Sequence, residues 1–505
     1  MRERVFEVGL KQNIVANYLG TGWTALMNLA FVPLYIRYLG IEAYGLIGVF
    51  AMLQGLLSLL DLGMAPTISR EMARLNSSAD STSSARTLLR SVEVVSTCIA
   101  LAMMTGLWLA SSWLANDWFV TKNLSIDAVA HALVIMGCLV GLRIIENVYR
   151  SAMIGLQKQV LMNLVIGVMA TLRGLGAVVV LALVANSIQA FFLWQLTVSA
   201  IGIGALAAAT YSLLPHEAVP ASFSFNALQG VRRFAAGTMA ITCISLLLSN
   251  MDKILLSRLL SLETFGYYAF AVVVAQTPLG LVNPIAQAFY PRFTQLHSNG
   301  QQPALANAYH SAAQLITVLL GTATVFIVMF GHELLEVWTK SAVLSDRIYV
   351  IAAILSCGSL FNGLMTIPYY LQLSYGWTGL TVRINAVALV VVVPALLMLV
   401  PRYGVTAAAW VWLVLNISYI VVVIPLMHRR LLPREKWHWY VRDVGVPLAA
   451  AVLAGLLLRL LSPAHLGQRL EVAALLSYAL LLLTVAALAA PIIRARALKM
   501  LSWID

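Results

Sequence analysis

The chain has 505 residues, 61% of them hydrophobic and 10% charged, with a formal net charge of +12. Soluble domains carry about 25% charged residues. This much apolar surface cannot be hidden from water, so the composition excludes a soluble enzyme and requires lipid as the solvent.

The N-terminal MRERVFEVGLK is charged and has no apolar core followed by a small-residue cleavage site, so it does not read as a cleaved signal peptide. Apolar runs of spanning length follow near 15–37, 44–66, 91–114, 128–149, 159–184 and 187–213. After a polar stretch around Pro215–Gly230 six more fall near 234–257, 264–289, 309–331, 348–372, 378–400 and 405–427. The basic segment HRRLLPREKWHWYVR, His428 to Arg442, separates these from two last runs near 443–461 and 471–493. The expectation is an all-α polytopic membrane protein of about 14 transmembrane helices.

Charge tests the count. With the N-terminus in the cytoplasm, 20 of the 32 Lys and Arg fall on inner loops, 9 on or beside outer ones and 3 inside spans. The positive-inside rule therefore puts both termini in the cytoplasm. The excess of basic residues is accounted for by topology and anionic membrane lipids, with nucleic acid excluded as the partner. Cys98, Cys138, Cys243 and Cys357 lie within apolar runs at no metal-ligand spacing, and read as small membrane-buried hydrophobes. Eight histidines are scattered, and none forms a metal or catalytic constellation by spacing.

One nine-residue pattern occurs twice. RYLGIEAYG runs from Arg37 to Gly45, and RLLSLETFG from Arg258 to Gly266, 221 residues later. Asn163 in VLMNLV and Asn385 in VRINAV repeat at an offset of 222. The interval spans six helices, an even number, so the two halves point the same way across the membrane, as in parallel-repeat transporters. The expected partition is an N-terminal six-helix lobe (1–214), a cytoplasmic linker (215–233) and a second six-helix lobe (234–428). A basic cytoplasmic loop (429–442) and an added helix pair with its tail (443–505) complete it. Each copy of the pattern reads first as a structural outer turn. Gly45 and Gly266 allow a tight hairpin, Tyr44 and Phe265 anchor at the interface, Glu42 and Glu263 favour the next helix N-terminus, and Arg37 and Arg258 snorkel to headgroups.

These residues carry a resemblance. The pattern LGIEAYGL followed by LLDLGMAPTISREMARL (Leu59–Leu75) resembles the first hairpin of Wzx-type polysaccharide and O-antigen repeat-unit flippases. These belong to the multidrug/oligosaccharidyl-lipid/polysaccharide (MOP) exporter superfamily. SNMDKILLSRLLSLETFGYYAFAVVVAQTP (Ser249–Pro278) and NPIAQAFYPRFTQL (Asn283–Leu296) are similar to its seventh and eighth helices. The motifs are short and mostly apolar, whereas helix count and repeat extend along the whole chain. Trp377, in LQLSYGWTGL, stands where the pattern leads one to expect a polar or basic residue. The resemblance implies two six-helix bundles around a central cavity that opens alternately to each side of a bacterial cytoplasmic membrane. The implied substrate is an undecaprenyl-pyrophosphate-linked oligosaccharide, and the implied partner is the polysaccharide polymerase machinery that consumes it. A monomer suffices, because the two lobes complete one cavity.

Charges inside spans are costly and mark candidate sites. Arg173 lies deepest, with no sequence-local partner; Arg143, Glu146 and Arg150 are spaced i, i+3, i+7 on one helix face. Lys253 follows Asp252 in the seventh span, and Arg383 lies near the start of the eleventh. Cations outnumber anions, and Arg offers a planar fork to phosphate oxygens, so Arg173, Arg143, Lys253, Arg383 and Arg150 are the candidate pyrophosphate contacts. The structural alternatives are pairing of Arg143 with Glu146, pairing or snorkelling of Lys253, and snorkelling of Arg383. Asp61, Asp252 and Glu146 are candidate coupling acids for H+ or Na+, with local hydrogen bonding as the alternative. Gly63 with Pro66, and Pro284, are expected kink sites.

There is no G-x-x-x-x-G-K-[ST] loop to power a nucleotide-driven pump, and no other cofactor is expected. A cation-coupled drug or metabolite antiporter on the same fold is the rival reading, but it calls for an acid-dominated cavity. A membrane enzyme calls for a sizeable extramembrane loop or an acidic metal-binding pair, and neither is visible.

Overall fold

The computed structural model describes residues 2–57, 68–69, 71–73, 82–214, 246–462 and 468–495. Asp61, Gly63, Pro66, Cys243 and the expected linker 215–233 lie outside them. The chain forms two compact units, Met1–Gly266 and Tyr267–Asp505. Among the described residues twelve helices are long and apolar enough to cross a membrane. The two remaining expected spans are represented by the shorter apolar helix Ile41–Leu56 and by a helix over 246–259.

In the first unit the helices are α1 (Arg2–Ala30), α2 (Val32–Leu39), α3 (Ile41–Leu57), α4 (Thr82–Trp113), α5 (Ile126–Gly155), α6 (Gln159–Leu183) and α7 (Ile188–Leu213). The 246–259 helix is α8. Local chemistry sets their ends. Ser125 and Ser187 accept the backbone N–H groups of Ala128 and Ala190 at 3.2 Å, capping α5 and α7. Arg86 donates to the carbonyl of Leu214, just beyond the last turn of α7, at 3.0 Å. α4 packs on α5, α5 on α7, and α6 on α1 and α7. The core of this unit gathers Met72, Leu89, Val92, Val148, Met153 and Leu206. Outward-facing residues such as Leu183, 80% exposed, are apolar too, as a lipid-facing surface requires.

α9 (Leu262–Gln276) leads into the second unit and is followed by a 3-10 turn, Thr277–Leu281, and α10 (Val282–Ser298). The break therefore sits at Pro278, upstream of the expected kink at Pro284. Pro284 falls in the first turn of α10, where a missing N–H leaves no helical bond unmade. Then come α11 (Gln302–Thr339), α12 (Ala342–Leu364), α13 (Thr366–Ser374), α14 (Gly379–Tyr403) and α15 (Val405–Leu431). The added pair is α16 (Val446–Leu461) and α17 (Gln468–Ala489). It packs on α11 through Val318, Val325, Phe330, Ala451, Leu482 and Ala486. Trp377, unexpected in the sequence, lies under the Arg430 guanidinium, 4.4 Å from ring centroid to carbon, so a cation–π contact occupies that turn.

The two copies of the repeated pattern touch each other. A Cβ on Gly45 would lie 2.4 Å from the carbonyl oxygen of Leu262, and a Cβ on Gly266 would lie 2.3 Å from that of Ile41. Ile41 and Leu262 hold the same place in the two copies, as do Gly45 and Gly266, so the contact is reciprocal position for position. This corrects the expected role of these glycines. Each lies one turn inside its helix, and the tight turn before α3 is made instead by Gly40 at φ +80°. Tyr44 and Phe265, expected as interface anchors, are buried at 4% and 1% exposure, because each helix turns that face onto its neighbours.

The carboxylates of the pattern tie in a third segment. Glu42 accepts the backbone N–H groups of Lys122 and Asn123 at 2.6 and 2.8 Å, and Glu263 pairs with the Lys122 ammonium at 3.0 Å. The Leu262 N–H donates to the carbonyl of Val120 at 2.8 Å. Arg258 is exposed and lies over the Trp118 ring at 5.1 Å; Arg37 is exposed at the end of α2. Glu42→Gln keeps one acceptor but loses the charge on both bonds. It is expected to cost about 1 kcal/mol, read as a lowered Tm of the purified protein, and an unchanged Tm would remove Glu42 as the clasp.

Candidate functional site

α5 and α6 are joined by only three residues, Leu156 to Lys158, so their polar faces are neighbours. α5 places Arg143, Glu146 and Arg150 on one face by its 3.6-residue turn. Glu146 is buried, 4% exposed, and all three nearby guanidiniums reach it. Arg143 Nη1 lies 3.0 Å from Oε2, Arg150 Nη1 3.8 Å from Oε1, and Arg173 Nη2, from α6, 3.4 Å from Oε2. Arg173 thus has a partner that its own sequence neighbourhood does not show. It also reaches Ser199 Oγ of α7 at 3.4 Å, and Gln195 donates to its backbone carbonyl at 3.3 Å.

The electrostatics are one-sided. Among the described residues three permanent cations share one carboxylate, leaving the cluster two charges positive within membrane-spanning helices. Each guanidinium carries five N–H donors, and a carboxylate accepts about four hydrogen bonds, so most donors remain for another acceptor. The Arg173 Nε is buried and has no hydrogen-bond partner among the described residues. The side chains of Arg143 and Arg150 are 34% and 40% exposed, so the cluster is open on one side. An arrangement of this kind suits a polyanion with several oxygens.

The other candidates are placed elsewhere. Lys253 donates to Asp252 at 3.3 Å and to the Ser249 carbonyl at 3.0 Å, a local arrangement on α8. Asp252 is engaged by that ammonium. Arg383 is exposed near the start of α14, in the second unit, with no ion-pair partner among the described residues. Cys98, Cys138 and Cys357 are free thiols.

Sequence spacing missed one constellation. His310 and Asp443, 133 residues apart, are in direct contact, and His438 stacks on His310 with ring centroids 4.1 Å apart. The histidines are therefore not all scattered. The partners come from distant helices, and the only local trace was Glu435 and His438 within the basic segment with Asp443 directly after it.

The family model described as "Polysaccharide biosynthesis protein" matches residues 10–297, more than half of the chain. No curated protein matches. Among solved structures, an inward-closed lipid II flippase MurJ aligns with TM-score 0.68 at 10% identity, covering 94% of this chain and 97% of that one. An inward-facing multidrug resistance MATE transporter of the MOP superfamily aligns with TM-score 0.67 at 14% identity, covering 81% and 94%. A MOP superfamily transporter from Pyrococcus furiosus aligns with TM-score 0.59 at 12% identity, covering 84% and 95%. These likenesses establish the fold. With its apolar helices, its charged cluster and this match, the chain belongs to the polysaccharide biosynthesis protein family, built on the fold of the MOP transporters and flippases.

Proposed function

We propose that this protein carries an undecaprenyl-pyrophosphate-linked oligosaccharide repeat unit from the inner to the outer leaflet of a bacterial cytoplasmic membrane, by alternating access, acting as a transporter and not an enzyme. The observation that carries the reading is the sharing of Glu146 by Arg143, Arg150 and Arg173. Two surplus charges and many free N–H donors match a pyrophosphate near −2. Lys253 and Arg383 join this path only if transport brings the headgroup past them. Membership of a polysaccharide biosynthesis family supports a glycan cargo. The shared fold with MurJ, a lipid II flippase, supports a lipid-linked one.

The drive we infer is the membrane potential together with consumption of the product by a polymerase outside. An inside-negative potential moves an anion outward by about 2.3 kcal/mol per charge per 100 mV, and a pyrophosphate gains roughly twice that. Coupling to H+ or Na+ is not needed for this balance; Asp252, already facing Lys253, is a poor ion receptor. A drug antiporter shares the fold, but organic cations would meet a cationic cluster.

The test uses reconstituted protein and a labelled lipid-pyrophosphate-oligosaccharide, following its exposure in each leaflet with and without an imposed potential. Arg173→Ala leaves Glu146 with two partners, so the local structure holds. Losing one set of charge-assisted hydrogen bonds of about 1.5–3 kcal/mol is expected to slow transfer about 10- to 100-fold, with Arg173→Lys intermediate. Uptake of organic cations with no transfer of the lipid-linked sugar would overturn the proposal. Transfer indifferent to Arg173→Ala would remove the cluster from the path.

A further inference from the structure

In the second unit a polar cluster is buried that the transport reading does not use. α11 supplies His310 and Gln314, while Glu435, the helical turn Lys436–His438 and the π-helical turn Trp439–Gly445 supply the rest before α16 begins. The His310 side chain is 4% exposed and that of Asp443 0%. His310 Nδ1 contacts Asp443 Oδ2 directly, and its Nε2 lies 3.1 Å from Glu435 Oε2. His438 lies between the same two carboxylates, with Nε2 3.9 Å from Asp443 Oδ1 and Nδ1 3.7 Å from Glu435 Oε2. Gln314 Nε2 donates to Asp443 Oδ1 at 2.9 Å, and Gln314 Oε1 accepts the backbone N–H of Ile492 at 2.9 Å.

This is the layout of a metal site with its supports. One ligand atom each from His310, His438 and Asp443 lie within 4.8 Å of one another. A tetrahedral ion with bonds of about 2.0–2.1 Å needs them about 3.3 Å apart, so His310 and Asp443, now in direct contact, part slightly while the His438 ring turns inward toward them. The ion takes the place of the proton that now joins His310 to Asp443. Metal-binding histidines hand their other N–H to a carboxylate or carbonyl that fixes the tautomer. Here Glu435 faces the second nitrogen of both rings. Gln314 holds the ligating carboxylate from behind.

Charge points the same way. With both imidazoles neutral, as metal ligation requires, the two carboxylates bring −2 to a place where Asp443 is wholly buried and an uncompensated charge is costly. A divalent ion cancels that charge. His438 and Glu435, 34% and 33% exposed, leave a route by which an ion enters and water reaches it as the fourth ligand. Two imidazoles and one carboxylate select zinc over calcium or magnesium. We propose that His310, His438 and Asp443 bind a Zn2+ ion, with Glu435 and Gln314 as its supports, and that the ion braces α11 against the C-terminal segments that carry Asp443 and Ile492.

The test is a titration of the full chain, purified without a polyhistidine tag and stripped with chelator, first with Co2+ and then with Zn2+. One equivalent of Co2+ is expected to develop the visible d–d bands of a four- or five-coordinate site, to be displaced by Zn2+, and Zn2+ is expected to raise Tm. His438→Ala is expected to abolish the bands, and Glu435→Gln to weaken binding about 10- to 100-fold. Both residues are partly exposed, and the metal-free Tm of each variant reports whether it has folded. Absence of bands in folded wild type would overturn the proposal. Binding equal in wild type and both variants would place the ion elsewhere, and the cluster would then be an acid–imidazole network joined by protons alone.

Discussion

Glu146→Ala is expected to destabilise the first unit by leaving its clustered cations without a carboxylate. It leaves three guanidiniums facing one another where one buried carboxylate had held them at 3.0, 3.4 and 3.8 Å. Removing one partner of a fully buried ion pair costs about 3–5 kcal/mol. Arg143 and Arg150 are 34% and 40% exposed, so screening lowers the figure, and about 2 kcal/mol is expected. The loss is read as a drop in Tm and in the yield of monodisperse protein. The double variant Glu146→Ala/Arg173→Ala has one repelling cation fewer, and is expected to regain about 1 kcal/mol, a coupling of the size seen for residues in one network. If Glu146→Ala leaves Tm unchanged, the guanidiniums are solvated independently and Glu146 does not organise them.

Gly45→Ala and Gly266→Ala are each expected to destabilise by about 1–3 kcal/mol, the range for forcing atoms into a packed site. The added methyl would meet a backbone carbonyl at 2.4 or 2.3 Å, and backbone cannot rotate aside as a side chain can. Because the two contacts are halves of one reciprocal junction, the double variant is expected to lose less than the sum: once α3 and the start of α9 have moved apart, the second methyl finds space. Thermal unfolding of the two single variants and the double variant measures this directly. Additive losses would mean that the two contacts open separately. Gly22, where a Cβ meets nothing within 4 Å, is the matched control, and Gly22→Ala is expected to be neutral or slightly stabilising because alanine favours the helix.

Much of the architecture was legible because lipid leaves so few options. Every backbone group in a bilayer must be bonded within its own helix or a closed barrel, so length and apolarity alone locate spans. Twelve of the expected runs are helices of spanning length, and the repeat at offset 221 marks equivalent turns. The i, i+3, i+7 spacing of Arg143, Glu146 and Arg150 was also readable, since it depends only on the pitch of one helix. Arg173 was identified by the cost of its burial but not by its partner. That partner is on another helix, and a single sequence carries no distance between helices.

The same boundary separates the remaining results. Composition, charge asymmetry and the duplicated pattern by themselves determined a polytopic helical protein, its internal repeat and an excess of cations within the spans, because each follows from local periodicity or from the free energy of moving groups into lipid. Only the tertiary structure decided what those residues touch. It turned Gly45 and Gly266 from hairpin residues into a reciprocal backbone contact, drew Tyr44 and Phe265 inward, and gathered His310, His438 and Asp443 from segments more than a hundred residues apart. Such contacts depend on which faces of which helices meet, a property of the packed assembly that no stretch of the chain encodes alone.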